Sequence, residues 1–238
     1  MIFGAILAGG VGSRMNMADM PKQFLPLGDK PIIVHTLEKF LLCSRFDQIY
    51  IGVHADWLGY MESLISKYLP SQVSKVKVVA GGSDRNETIL NVVREIEAAY
   101  GESEEHIIVT HDAVRPFLSL RMIEENIDGA LQYGAVDTVS AAIDTIVVSE
   151  DGQVISGIPD RRQMYQGQTP QSFKICTLKR LYASLSEEEK KNLTDACKIY
   201  IMRNQPVHLV EGSATNLKIT TPGDYRIAQA MVGGLEID

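Results

Sequence analysis

The sequence predicts an α/β protein: a Rossmann-like, mostly parallel sheet with helices on both faces and a projecting β-hairpin arm. Three observations predict it. Short apolar runs alternate with stretches of helical period as far as Val139, joined by short connections. Glycine-rich or polar turns follow several of these runs, where a parallel sheet holds its ligand. Beyond Val139 the alternation gives way to two short β-like runs about Glu150-Asp151-Gly152, which read as a hairpin.

In order, Ile2 to Leu7 is a run apolar on both faces, the pattern of a buried parallel strand. Pro31 to Leu42 reads as a helix, with proline at its first position and Ile33, Val34, Leu37, Phe40 and Leu41 at helical spacing. Gln48 to Val53 is the next strand. Asp56 caps a helix that runs to about Leu69, where Pro70 stops it. Lys75 to Ala80 is a strand, about Asn86 to Tyr100 a helix ended by Gly101, and His106 to Thr110 a strand. A helix over roughly Leu120 to Tyr133 and a strand over Ala135 to Val139 follow.

The hairpin is expected over Asp144 to Ser149 and Gln153 to Ile155, within an arm of about 141–163. Its apolar residues, among them Ile143, Val147, Val154 and Ile155, need a cover. Either a partner subunit or the chain's own body can supply it. Met164 to Gln171 reads as a polar loop. Ser172 to Leu185 and Asn192 to Arg203 read as helices, with the charged run Glu187 to Lys191 as solvated surface. Val207 to Val210 is a late strand, and a helix closes the chain after Pro222.

The 238 residues suffice for one large domain over 1–238. With 45% hydrophobic and 22% charged residues the composition is that of an ordinary globular chain. A net charge of -7 argues against nucleic acid or a membrane surface as partner, because the long-range field repels both. Cys43, Cys176 and Cys197 are far apart and lack zinc or disulfide spacing. No apolar run reaches the length of a membrane span and no leader pattern opens the chain, so a cytoplasmic location is expected.

The chemistry concentrates at three run ends. Ala8-Gly9-Gly10-Val11-Gly12-Ser13-Arg14-Met15 follows the first strand, and Pro21-Lys22-Gln23-Phe24 comes soon after. Glycines turn backbone N–H groups toward an anion, and Arg14 and Lys22 add cations suited to a polyphosphate. Neither the phosphate loop with its Gly-Lys pair nor the dinucleotide fingerprint is matched, since Met15 stands where the third glycine belongs. Gly81-Gly82-Ser83-Asp84-Arg85 is a second glycine pair that opens onto a helix, with Thr88 in its first turn. Backbone there can read a base or ribose, and Ser83 or Asp84 can cap the helix. Asp112, at the end of a third strand, suits a hard cation such as Mg²⁺, and Arg115 suits a second anion. With no nucleophile motif in the chain, chemistry between two bound substrates is expected, positioned and offset by cations.

These stretches, with Gln168-Thr169-Pro170-Gln171, Thr194-Asp195 and Asn216-Leu217-Lys218-Ile219-Thr220, resemble in order the cytidylyltransferases that activate sugar-alcohol phosphates. The likeness covers nearly the whole chain. One branch of that family makes CDP-methylerythritol for isoprenoids, the other CDP-ribitol for wall teichoic acids or related polymers. The stretches 164–173, 193–198 and 30–40 are similar to the ribitol branch.

The resemblance implies that Leu7, Ala8, Gly9, Gly10, Gly12, Ser13, Arg14 and Lys22 hold CTP, with Gly81, Gly82, Arg85 and Thr88 at its base side. Arg14, Lys22 and Lys218 would be catalytic, and Asp112 would bind Mg²⁺. Arg115, Thr145, Arg161, Thr194 and Lys218 would surround the polyol phosphate. The arm would interlock a homodimer, so that Thr145 and Arg161 serve the neighbour's site; Arg162 stands beside Arg161 as a rival. The expected reaction is CTP plus D-ribitol 5-phosphate to CDP-ribitol and pyrophosphate. Alternatives are the methylerythritol phosphate enzyme, a sugar-1-phosphate nucleotidyltransferase, a dinucleotide-dependent oxidoreductase and a non-catalytic nucleotide-binding module.

Overall fold

A computed structural model describes residues 1–10 and 20–233. The opening apolar run is strand β1, Ile2–Ala8. Two short strands, β2 (Pro26–Leu27) and β3 (Lys30–Pro31), turn about Gly28, whose φ of 64° favours glycine, and lead into α1, Ile32–Leu41. Then come β4 (Gln48–Val53), α2 (Leu58–Tyr68), β5 (Val76–Ala80), α3 (Arg85–Tyr100) and β6 (Ile107–Asp112). α4 (Leu120–Tyr133) ends at Gly134, and β7 (Ala135–Ala141) follows. The second half holds β8 (Tyr165–Lys174), α5 (Ile175–Ala183), α6 (Glu187–Lys191), α7 (Cys197–Ile201), β9 (His208–Glu211) and α8 (Pro222–Gly233).

Seven strands form one mixed sheet in the order β5-β4-β1-β6-β8-β7-β9. β1 pairs in parallel with β4 and β6, β4 with β5, and β7 with β9; only β8 runs antiparallel to its neighbours. β1 is apolar on both faces because both are covered. Phe3 and Ala5 pack with Ile89, Val93, Leu178 and Tyr200 from α3, α5 and α7. Ile6 and Ala8 pack on the other side with Ile33, Leu37, Leu64 and Ile123 from α1, α2 and α4. A third cluster joins Leu27, Ile32 and Val114 to Ile219 and Tyr225, and the Tyr225 hydroxyl donates to the Pro26 carbonyl. It fastens the segment carrying Lys218 to the mouth of the sheet.

The largest departure from the sequence pattern is β8. The stretch 164–171, polar enough to read as a loop, is the strand between β6 and β7, and the strand runs on to Lys174 where a helix was expected. Several of its polar side chains bond inside the protein. Thr169 bonds His111, Gln171 Nε2 donates to Asp137 Oδ1 and Ser172 Oγ donates to Asn126 Oδ1. Polarity therefore did not mean solvent.

Three further boundaries move. Asp56 does not cap α2; it lies in a tight turn where its N–H donates to His54 Nδ1, and α2 starts at Leu58. Of the helix expected over Asn192 to Arg203, only Cys197–Ile201 is helical. The charged run is itself helical, α6, closed by a capping box of Ser186 and Glu189. The expected hairpin strands over 144–149 and 153–155 are not regular; the arm turns about Asp151 and Gly152 and is tied by a single bridge, Val148 to Gly157. The arm's apolar residues stand in the open, Ile143 at 75% and Val154 at 67% exposure. Among the described residues no helix is long and apolar enough to cross a membrane.

Candidate active site

The carboxyl ends of β1, β5 and β6 converge on a cleft of about 330 Å³. Leu7, Ala8, Gly9, Gly10, Lys22, Gly82, Arg85, Thr88, Asp112 and Lys218 line it, together with Gln23, Ser83 and Asp84. Of the residues expected at the nucleotide, Gly12, Ser13 and Arg14 lie outside the described residues, as does Met15.

Gln23 ties the first glycine turn together. It is 3% exposed, and its Nε2 donates to the Ala8 carbonyl at 2.7 Å and to the Gly10 carbonyl at 3.1 Å. The neighbouring Lys22 opens the tight turn Lys22–Phe24 and so faces the cleft from a fixed base.

The second glycine turn is built around Thr88. Its hydroxyl accepts from Gly82 N at 3.0 Å and donates to the Asp84 carbonyl at 2.8 Å. The Asp84 carboxylate caps α3 through Glu87 N. Gly81 N donates to the Val53 carbonyl at 2.7 Å. The N–H groups of Gly81 and Gly82 are thus occupied within the turn, and Thr88 shapes the pocket rather than presenting an idle hydroxyl. The turns lie close: a Cβ on Gly81 would come within 3.5 Å of Gly9 Cα.

Asp112 gathers the cations. Oδ1 pairs with Arg85 Nε at 3.3 Å; Oδ2 pairs with Lys218 Nζ at 2.8 Å and Arg115 Nε at 3.7 Å. Burial works to raise its pKa, but Arg85, Lys218 and Arg115 overcome this and hold the carboxyl well below the usual carboxylate range. Behind it runs a fixed chain of bonds. Asp112 N donates to Thr169 Oγ1, that hydroxyl bonds His111 Nδ1 at 2.9 Å, and His111 Nε2 bonds the Arg115 carbonyl at 3.1 Å. The network assigns the proton to Nε2. Burial lowers the His111 pKa to about 4, so the ring is neutral and structural.

A second cavity of about 390 Å³ adjoins the first. Arg115, Gln168, Asn216 and Lys218 line it with residues of the arm's root. Asn216, fully buried, fixes this wall. Its Nδ2 donates to Gln168 Oε1 and the Thr169 carbonyl, and its own carbonyl accepts from Arg115 Nη1 at 2.7 Å. Lys218 lies between the cavities. Thr194 is exposed and lines neither. Thr145 and Arg161 are on the arm; Arg161 Nη1 donates to the Ile143 carbonyl, while Arg162 is held by Asp160 at 2.7 Å. Arg161 and Thr145 are therefore not brought to this chain's own Asp112 cleft.

Among the described residues no group of three or more His, Cys, Asp and Glu could cage a metal. Of the two carboxylates that line the cleft, Asp84 is spent on capping α3 and Asp112 is left as a hard donor, and Mg²⁺ commonly uses one carboxylate with phosphate oxygens and water. The residues fit a metal shared with a polyphosphate and not one held by protein alone.

The sequence profile of the IspD family, 2-C-methyl-D-erythritol 4-phosphate cytidylyltransferase, matches residues 2–234. The chain belongs to the IspD family. It is a cytidylyltransferase, of a family that uses CTP and a phosphorylated sugar alcohol. Solved structures share the fold. The 4-diphosphocytidyl-2C-methyl-D-erythritol synthase of Anaerococcus prevotii DSM 20548 superposes with a TM-score of 0.80 at 24% identity, covering 98% of each chain. Another synthase of that description gives 0.78 at 25% identity, over 97% of this chain and 98% of its own. The Francisella tularensis 2-C-methyl-D-erythritol 4-phosphate cytidylyltransferase gives 0.77 at 24%, over 95% and 97%.

The sequence did not single out Asn216 by role, nor Gln23 beyond its motif. It missed Asp137, the one acid in β7.

Proposed function

We propose that the chain transfers CMP from CTP to an acyclic polyol phosphate, releasing pyrophosphate, with D-ribitol 5-phosphate as acceptor. The observation that carries the transfer reading is Lys218, which stands between the two cavities with its Nζ 2.8 Å from Asp112. CTP would lie in the cleft between the glycine turns, its triphosphate against Gly9, Gly10, Lys22 and, by resemblance, Arg14. The acceptor would lie in the adjoining cavity, its phosphate against Arg115 and Lys218. An acceptor phosphate oxygen attacks the α-phosphorus of CTP, and the bond from that phosphorus to the β-phosphate's bridging oxygen breaks. Pyrophosphate carries that electron pair away, so no covalent enzyme intermediate is needed. Lys22 and Lys218 offset the charge that develops on the oxygens. Asp112 orients Lys218 and would hold Mg²⁺ together with the triphosphate; when bound, the metal supplies charge neutralisation on the phosphates.

The acceptor rests on sequence: Met164 to Phe173 and Leu193 to Lys198 resemble the ribitol branch. Methylerythritol phosphate is the second reading. The description of the family profile and of the solved relatives favours it, and it has the wider support among the comparisons. A homodimer locked by the arms belongs to this proposal; the exposed Ile143, Val154 and Ile158 supply the apolar surface for it. Side-by-side turnover of the two acceptors with CTP and Mg²⁺, followed by pyrophosphate release, tests the choice. Ribitol 5-phosphate is expected to be turned over at least about tenfold faster, a difference of about 1.4 kcal/mol in transition-state binding. Preference for methylerythritol phosphate would overturn it.

A further inference from the structure

The sheet face that carries Asp112 continues along β8 and β7 to polar residues, Gln171 and Asp137, that have no part in the roles above. In the β-ladder Thr110 faces Gln171 and Gln171 faces Asp137, so the three share one face. Asp112 is two residues beyond Thr110 on β6 and points to the same side. Arg85, at the first turn of α3, reaches that side to pair with Asp112 Oδ1. From α7, the buried Cys197 comes close to Asp137. Asp137 is two strands from β6, about 10 Å across the sheet.

The hydrogen-bond ledger here is incomplete. Gln171 Nε2 donates to Asp137 Oδ1 at 3.0 Å, but Gln171 Oε1, buried, has no partner among the described residues. Nor do Arg85 Nη1 and Nη2 or Asn86 Oδ1, all buried. Buried polar groups in this number are seldom orphaned, since each costs about 1–3 kcal/mol. Arg85 reaches Asp112 and Gln171 stands on the same sheet face, so that donors and acceptors are mixed there. Arg85 and Asp137 offset each other in charge. Such a set does not suit a phosphate, which wants donors only. It suits hydroxyl groups, each of which both donates and accepts.

We propose that Asp137, with Gln171 and Arg85, reads the hydroxyl groups of the acceptor's carbon chain and so selects a polyhydroxylated acceptor. The inference rests on the acceptor cavity assigned above and extends it. The phosphate end is held by Arg115 and Lys218, and the hydroxyl-bearing end runs over Asp112 toward Asp137. Gly167 on β8 lies beside it, the place of a Cβ there being 3.8 Å from Asp137 Oδ2. Asp137 is then a specificity-determining residue, in contact with substrate but not with the reacting phosphorus.

The test uses Asp137→Asn, which keeps the shape and the bond from Gln171, and Asp137→Val, which removes both. Acceptor KM is measured for ribitol 5-phosphate, methylerythritol 4-phosphate and their single-deoxy analogues; CTP Kd is measured separately by calorimetry. The expected result is an acceptor KM raised about tenfold to hundredfold in Asp137→Val and less in Asp137→Asn, with CTP Kd within twofold. At least one deoxy analogue should be treated alike by wild type and both variants. Acceptor KM within twofold of wild type in both variants overturns the inference, as does an equal shift in CTP Kd, the mark of a structural role. If Asp137→Val does not fold, Asp137→Asn alone decides. Should the wild-type chain turn over neither acceptor, the proposed function fails with it; turnover with unchanged variants refutes only the part given to Asp137.

Discussion

Replacing Thr88 by Val keeps the side chain's volume and removes one hydroxyl. That hydroxyl, 2% exposed with its residue, accepts from Gly82 N at 3.0 Å and donates to the Asp84 carbonyl at 2.8 Å. The methyl that replaces it leaves a backbone donor without its partner, at about 1–3 kcal/mol. Because the cost falls on the turn that forms one wall of the nucleotide cleft, CTP binding should carry it. At 1.4 kcal/mol per factor of ten, CTP Kd should rise about fivefold to a hundredfold. Gly52→Ala approaches the same residue from beneath. Gly52 is on β4, away from the cleft lining, yet a Cβ there would overlap Thr88 Cγ2. Overpacking of this kind costs about 1–3 kcal/mol and would displace Thr88 toward the turn. Calorimetry with CTP and steady-state kinetics with the acceptor check both variants. CTP Kd should rise in each while acceptor KM stays within about twofold. CTP Kd unchanged in Thr88→Val, or an acceptor effect larger than the CTP effect, would refute the assignment of this turn to the nucleotide.

Lys22→Ala should lower kcat by about a hundredfold or more, the usual loss for one donor aimed at developing charge; near-full turnover in a pyrophosphate-release assay would remove Lys22 from the catalytic groups. Two buried groups give opposed pH dependences. Burial lowers His111 to about 4, so the unfolded chain binds the extra proton and stability falls as pH drops from about 6.5 to about 4. Burial raises Asp137 to about 6, so the folded chain binds the extra proton and stability rises as pH drops from about 6 to about 4. Each effect is on the order of 3 kcal/mol. Asp137→Asn should expose the His111 trend, with Tm falling more steeply than wild type across that range, by about 5–10 °C. Parallel Tm profiles would contradict the shifted values.

How far the sequence carried the fold depended on whether polarity tracked exposure. In β1 and β4 it did. Apolar runs such as Ile49 to Val53 are buried strands between apolar helix faces, and the pattern is legible. In β8 it did not, because Thr169, Gln171 and Ser172 are buried and bonded to His111, Asp137 and Asn126. Those bonds join positions up to 58 residues apart, beyond any local pattern. The site divides in the same way. Gly9, Gly10, Lys22 and Asp112 were legible because phosphate chemistry marks their neighbourhood in sequence. Asn216, which ties β8 to the Lys218 segment, works through contacts 47 and 48 residues away and carries no local mark. Thr145 and Arg161 remain expectations of resemblance on an exposed arm.

The transfer itself is tested most directly with CTP labelled at the α-phosphate, incubated with Mg²⁺ and each polyol phosphate. The label should appear in a cytidine diphosphate polyol with an equal yield of unlabelled pyrophosphate, and D-ribitol 5-phosphate should give the most. Label retained in CTP, or released as CMP whatever the polyol phosphate, would contradict the account.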